Sequence, residues 1–205
     1  MTSDWIYYFG YGSLVNRDTR PEGEFTESAR LKGWQRVWEH RTADPERQQQ
    51  CTSLSIEPID TSDCAGIEGV VARIPVSALA ELDKRESGYE RLRLSAADFD
   101  LPASIQAESV FVYRSLPHNR HLANDQHPIL QSYIDCVLAG YRTRFGDAGM
   151  RAMFDTTRGW NRPILNDRAA PYYPRWVSVA PEVTQQLDLL IQSCSESVRQ
   201  TPFAD

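Results

Sequence analysis

The hydrophobic pattern of this chain changes period partway along, and that change limits the fold more than any other feature. Up to about Leu116 the apolar residues come in short, β-favouring runs: residues 5–9, residues 31–38 with Gly33 interrupting, the alternating Ser53-Leu54-Ser55-Ile56, residues 69–74 and residues 110–113. Beyond that point Ile129, Leu130, Tyr133, Ile134, Val137, Leu138 and Tyr141 recur at helical spacing, and Val183, Leu187, Leu190, Ile191 and Cys194 repeat the pattern. A late strand is expected at residues 175–179. A strand-rich body followed by helices implies an α+β fold, with residues 1–116 as the core and residues 117–205 as a helical extension packed on it within one domain. No internal repeat or low-complexity tract interrupts this reading.

At 205 residues, 41% hydrophobic and 24% charged, the chain has the make-up of a soluble globular domain. Its net charge of −6 argues against a nucleic-acid partner, which would need a basic face. No apolar run approaches the roughly 20 residues that span a bilayer, and the first residues lack a secretory pattern, so no membrane partner and a cytoplasmic setting are expected. Cys51, Cys64, Cys136 and Cys194 are scattered without a C-x-x-C pair, which reads as reduced thiols rather than a zinc site or disulfide framework.

Two local patterns carry chemistry. The first aromatic run stops at Gly10-Tyr11-Gly12-Ser13-Leu14, a glycine-punctuated turn whose successive N–H groups can form a concave anion site. Alone it reads first as a tight turn requiring positive φ. It is not a dinucleotide fingerprint, since position 15 is Val15 rather than glycine. The second is Leu82-Asp83-Lys84-Arg85-Glu86-Ser87-Gly88-Tyr89, at the end of a short helix opened by Pro75 and stopped by Gly88. Glu86 then faces the negative end of the helix dipole, which disfavours its ionised form and raises its pKa. The plain alternative is an exposed glutamate offset by Arg85 or Arg91.

The pair of patterns, in this order and about seventy residues apart, resembles the γ-glutamylcyclotransferase-like superfamily over residues 5–113. The Arg85-Glu86-Ser87-Gly88-Tyr89 form is most similar to its ChaC branch, whose substrate is glutathione. The stretch His40-Arg41-Thr42-Ala43-Asp44-Pro45 departs from the Arg-Gly-Thr-Pro run of that branch. The resemblance implies a small mixed β-barrel flanked by helices, with Gly10, Tyr11, Gly12, Ser13 and Leu14 binding a γ-glutamyl head group and Glu86 catalytic. It implies a small-molecule γ-glutamyl substrate (glutathione, a γ-glutamyl amino acid or a γ-glutamyl amine) and no cofactor or metal.

That chemistry is economical. A γ-glutamyl amide carries its own nucleophile, the α-amine, placed to attack the γ-carbonyl and close a five-membered lactam. Holding the folded-back conformer can supply on the order of 7 kcal/mol. One carboxylate with a raised pKa can take the ammonium proton and return it to the leaving amine. The products are 5-oxoproline and a freed amine, a lyase-type cleavage. A non-catalytic module that senses a small acid is the competing reading, and Glu86 argues against it, because a sensor needs no carboxylate there.

Other features read more plainly. His118, His121 and His127 lie among Pro and Asn residues and suggest an exposed loop rather than a metal site. Asp98 and Asp100 suggest a turn. Residues 158–175, dense in Arg and aromatic side chains, leave two readings open: a clamp holding the extension to the body, or a lid over the pocket. Tyr113 ends a strand and either packs or extends its hydroxyl toward the pocket.

Overall fold

A computed structural model describes residues 5–20, 25–44, 49–59 and 66–194. Cys64 lies outside them. The chain runs through β1 (Trp5–Gly10), β2 (Phe25–Leu31), β3 (Trp34–Asp44), β4 (Gln49–Pro58), β5 (Ile67–Pro75), α1 (Leu79–Arg85), β6 (Tyr89–Ser95), β7 (Phe99–Asp100) and β8 (Ser109–Ser115). Then follow β9 (Ile129–Leu130), α2 (Gln131–Asp155), β10 (Thr157–Arg158), β11 (Ile164–Leu165) and α3 (Pro181–Cys194). The fold is α+β, as the change of period implies.

The strands form two mixed sheets, ordered β6-β8-β1-β5-β2-β7 and β10-β3-β4-β9-β11. In the first, β1 pairs antiparallel with β5 and parallel with β8. Gly33 decides how the chain leaves it. The expected single strand over residues 31–38 is two strands in different sheets, turned at Gly33 with φ 71°, a conformation that side chains resist.

Helix α2 closes the core. All seven residues of the apolar stripe from Ile129 to Tyr141 are buried, among them Ile134, Val137, Leu138 and Tyr141 at 0% exposure. Ile129 and Leu130 are strand rather than helix, because β9 sits between β4 and β11 and Ile129 donates to the Pro163 carbonyl at 2.9 Å. The first turns of α2 are covered on every side, so its polar residues need partners: Ser132 bonds Asp167 at 2.5 Å and Asp135 pairs with Arg168 at 2.6 Å. Where α2 meets the chain after β1, an added Cβ on Gly140 would lie 2.7 Å from the Asn16 backbone. Asn16 in turn donates to the Cys136 carbonyl at 2.8 Å.

Several expectations need correction. Residues 175–179 form no strand; they pair with neither sheet, and Pro174 and Pro181 bracket the segment. Asp98 and Asp100 do not share a loop turn: Asp98 completes a capping box with Ser95, and Asp100 pairs with Arg30 in β7. Strand β6 was masked by the charges of Glu90, Arg91 and Arg93, which an edge strand can keep in solvent. His118 lies in a 3-10 turn and, like His121, is exposed, whereas His127 is buried.

One buried cation ties the layers together. Arg36 on β3 is fully buried, and its Nε donates to the Tyr11 carbonyl at 2.9 Å and its Nη1 to Thr156 at 2.7 Å. Its Nη2 donates to the Glu68 carbonyl and the Tyr141 hydroxyl. Both sheets and α2 thus meet on one guanidinium. Replacing it by Leu strands these acceptors in the core, so Arg36→Leu is expected to lower the unfolding free energy by roughly 3 kcal/mol or more. Urea unfolding measures this; a loss under about 1 kcal/mol would show the bonds to be dispensable.

Candidate functional site

Strand β1 ends at Gly10 and the chain passes into a 3-10 turn, Ser13–Val15. Within it Val15 donates to the Gly12 carbonyl at 3.0 Å, which leaves the preceding Ser13 and Leu14 amides without a bond inside the turn. Neither Gly10 nor Gly12 has positive φ. Their small size serves space instead: an added Cβ on Gly10 would meet Leu14 Cβ at 2.6 Å, and one on Gly12 would meet the Tyr133 hydroxyl at 3.0 Å. Tyr11 is buried, donates its hydroxyl to the Tyr113 carbonyl at 2.7 Å, and offers its own carbonyl to Arg36 and to Tyr141.

Glu86 is the C-cap of α1, its amide donating to the Leu82 carbonyl at 3.0 Å. Gly88, with φ 94°, turns the chain into β6, and a side chain there would press on His40 and Asn119 at 3.1 Å. Arg85 Nε donates to Glu86 Oε1 at 3.1 Å, and Arg85 Nη1 to the Thr19 carbonyl at 2.6 Å. Among the described residues no group bonds Glu86 Oε2. Burial pushes the Glu86 carboxyl above the ordinary carboxylate range, against the lowering charges of Arg85 and Arg175. Removal from water is therefore the leading cause, where the sequence suggested the helix dipole. Arg91 takes no part; it pairs with Asp83 at 2.6 Å.

Glu86, Gly12, Ser13 and Leu14 line one small recess of about 30 Å³, together with Tyr89 and Tyr133. Ser13, Glu86, Tyr89 and Tyr133 also line an adjoining cavity of about 610 Å³, within the range that holds a small metabolite. Gly10 lies just behind these walls, at the end of β1. Tyr89 is held by the Leu54 carbonyl at 2.8 Å and stacks on His40 at 3.7 Å. His40 is itself buried, which lowers its pKa to about 4 and leaves it neutral near pH 7. The walls thus present neutral hydroxyls around one carboxylate and a few guanidiniums.

The Arg- and aromatic-rich segment divides between its two readings. Its first part clamps: Arg158 pairs with Glu57 at 2.9 Å, and Trp160 stacks on Phe154 at 4.0 Å. Its last part, Tyr172, Tyr173, Pro174 and Arg175, forms a wall of the larger cavity, with Arg175 donating to the Tyr173 hydroxyl at 3.3 Å. Tyr113 does reach the recess, but its hydroxyl donates to Asp83 at 2.6 Å. Arg41, Tyr89, Tyr133, Tyr173 and Arg175 were not singled out individually from the sequence, though Tyr89 lies inside the Glu86 motif. Of the cysteines, Cys51 lines the cavity, and Cys136 is buried with its thiol pushed up to about 12 by desolvation. Among the described residues, no helix is long and apolar enough to cross a membrane.

A raised carboxyl pKa means that the fold disfavours the ionised form. Glu86 therefore costs stability above its unfolded pKa of about 4.3, in full once the pH exceeds the folded value, and the cost fades as the pH falls. Glu86→Gln is expected to melt higher than the parent chain at pH 7, with the advantage closing near pH 4. Thermal unfolding at the two pH values checks it; a variant melting lower at pH 7 would contradict the desolvation account.

No family profile and no curated protein matches this sequence. Solved structures do match it. A γ-glutamyl cyclotransferase superposes with a TM-score of 0.56 at 15% identity, covering 90% of this chain and 99% of its own. An uncharacterized protein from Homo sapiens gives 0.57 at 15% identity, covering 91% and 99%. YkqA from Bacillus subtilis gives 0.54 at 21% identity, with 77% of this chain matched to 57% of that one. At such identities the likeness is one of fold, and the fold of this chain is the one found in a solved γ-glutamyl cyclotransferase.

Proposed function

We propose that this protein is a γ-glutamyl cyclotransferase, releasing 5-oxoproline from a γ-glutamyl amide. The observation that carries the reading is a carboxylate largely withdrawn from water, Glu86, sharing a recess with the residue 12–14 turn at the side of a metabolite-sized cavity. The turn amides of Ser13 and Leu14 suit the α-carboxylate of the head group. The α-ammonium then lies toward Glu86, which takes its proton. The freed amine attacks the γ-carbonyl carbon and forms the lactam C–N bond. The bond from that carbon to the leaving nitrogen breaks; that nitrogen takes the proton held by Glu86 and, relayed by the same carboxylate, the second proton that the new lactam nitrogen must shed, so it departs as an ammonium. The tyrosine hydroxyls around the recess are candidate donors to the oxygen that gains charge at the γ-carbon. The fold shared with a solved γ-glutamyl cyclotransferase supports the same conclusion. The mechanism needs a base with a pKa nearer neutrality than an ordinary glutamate, and burial moves Glu86 in that direction.

Incubating the purified chain with γ-glutamyl amino acids, γ-glutamyl amines and glutathione should release 5-oxoproline from at least one, and Glu86→Gln should slow release by about 100-fold to 10,000-fold. Silence across the panel would favour a small-acid-binding module instead. The pH profile offers an independent check. Because ionised Glu86 is the active form, kcat/KM should rise with pH through a midpoint above about 4.3. Arg175 lowers that pKa, so Arg175→Leu should move the midpoint upward; a downward move would remove Glu86 from the role.

A further inference from the structure

The larger cavity extends well beyond Glu86, and its charges are unevenly matched. Its lining contains Glu86 as the acid and Arg41, Arg85 and Arg175 as cations, while His40 is held neutral. Arg85 and Arg175 belong to the Glu86 end. Arg85 is bonded to Glu86 and to the Thr19 carbonyl; Arg175 acts on Glu86 through its charge and holds the Tyr173 hydroxyl.

Arg41 stands apart from that cluster. It lies on β3 opposite Thr52 of β4, lines the larger cavity and takes no part in the recess that holds the turn. It is not among the charges that move the Glu86 pKa. Its Nε is buried without a hydrogen-bond partner among the described residues, and Arg41 makes no ion pair among them. A buried guanidinium N–H left without an acceptor is costly, so a ligand oxygen at this position would relieve a standing penalty. Thr42, Cys51, Thr52 and Asn119 share the wall, giving small polar surroundings to a planar donor. The charge of Arg41 is felt nearby, where His127 is lowered first by its own desolvation and then by Arg41.

This inference rests on the cyclotransfer reading. The γ-glutamyl head group is a zwitterion, with its α-ammonium set against Glu86 and its α-carboxylate against the turn amides and the unpartnered Nη2 of Arg85. That allotment uses the cations of the Glu86 end and leaves Arg41 unmatched. We propose that Arg41 determines specificity by binding an anionic group on the leaving amine, so that the substrate is a γ-glutamyl amino acid or peptide rather than a γ-glutamyl alkylamine. A carboxylate two bonds from the leaving nitrogen fits a planar fork of donors, whereas an alkylamine would leave the guanidinium as it stands.

The test is a matched pair, γ-glutamyl-alanine and γ-glutamyl-ethylamide, which share the scissile bond and differ in the carboxylate on the leaving side. For the unaltered chain, kcat/KM for 5-oxoproline release should favour the carboxylated member by about 10-fold to 100-fold, the range of a charge-assisted hydrogen bond. In Arg41→Gln the ratio should fall toward one, chiefly through KM, and Arg41→Lys should recover part of it. Arg41→Gln should melt no lower than the parent, because the residue it replaces is unpartnered. Equal turnover of the two compounds by the unaltered chain, or a ratio that survives in Arg41→Gln, would overturn the inference while leaving cyclotransfer standing. Release from neither compound, nor from glutathione, would overturn cyclotransfer and this inference with it.

Discussion

The Arg36 guanidinium is where the architecture is decided. It is a charge placed where water cannot reach, with neutral oxygens for partners: the Tyr11 and Glu68 carbonyls, the Thr156 hydroxyl and the Tyr141 hydroxyl. Tyr141 reinforces the knot by donating to the same Tyr11 carbonyl at 2.9 Å. Such an arrangement is intolerant of partial formation, because any missing oxygen leaves a buried charged donor exposed to apolar surroundings. Its consequence for the site is direct. The carbonyl it grips belongs to the residue just before Gly12, so the position of the turn depends on β3, β5 and α2 being docked together.

The candidate site carries the opposite kind of feature. Glu86 is desolvated more than its neighbouring guanidiniums offset, and Arg41 holds a buried N–H with no acceptor among the described residues. Both are unfavourable to the folded chain by itself. They are tolerated because the surrounding framework is rigid: Tyr89 is fixed by Leu54 and His40, and the residues after Gly12 are pinned by Asn16 against α2. A ligand that supplies an ammonium at one end and an anion at the other would relieve both. Unfavourable groups gathered around one cavity are what a binding or catalytic site looks like when it is built into a stable fold.

Much of the fold is legible along the chain, and the failures have identifiable causes. The stripe from Ile129 to Tyr141 is buried throughout, Tyr133 to Tyr141 because helical spacing collects those side chains against the sheets, and Ile129 and Leu130 because they enter the second sheet as β9. The strands β1, β4, β5 and β8 follow from β-branched and aromatic runs. By contrast, β6 carries so many charges that it reads as a helix end, and residues 175–179 read as a strand but join neither sheet. The glycines of the first motif were explained by backbone freedom and turn out to be required for space. For Glu86, the local argument from the helix dipole pointed in the right direction for a lesser reason, since burial outweighs it.

By itself, the sequence determined the class of the fold, the turn after β1, and the placement of Glu86 at the end of a short helix, because each is set by neighbours within a few residues. Only the tertiary structure decided that the turn and Glu86 line one recess, that residues 158–175 divide into a clamp and a pocket wall, and that Arg41 and Arg175 face the same cavity. The physical reason is separation along the chain. Desolvation, charge balance and cavity shape arise from groups far apart in sequence, and those properties exist only once β3, α2 and the segment after β11 have packed around the first motif.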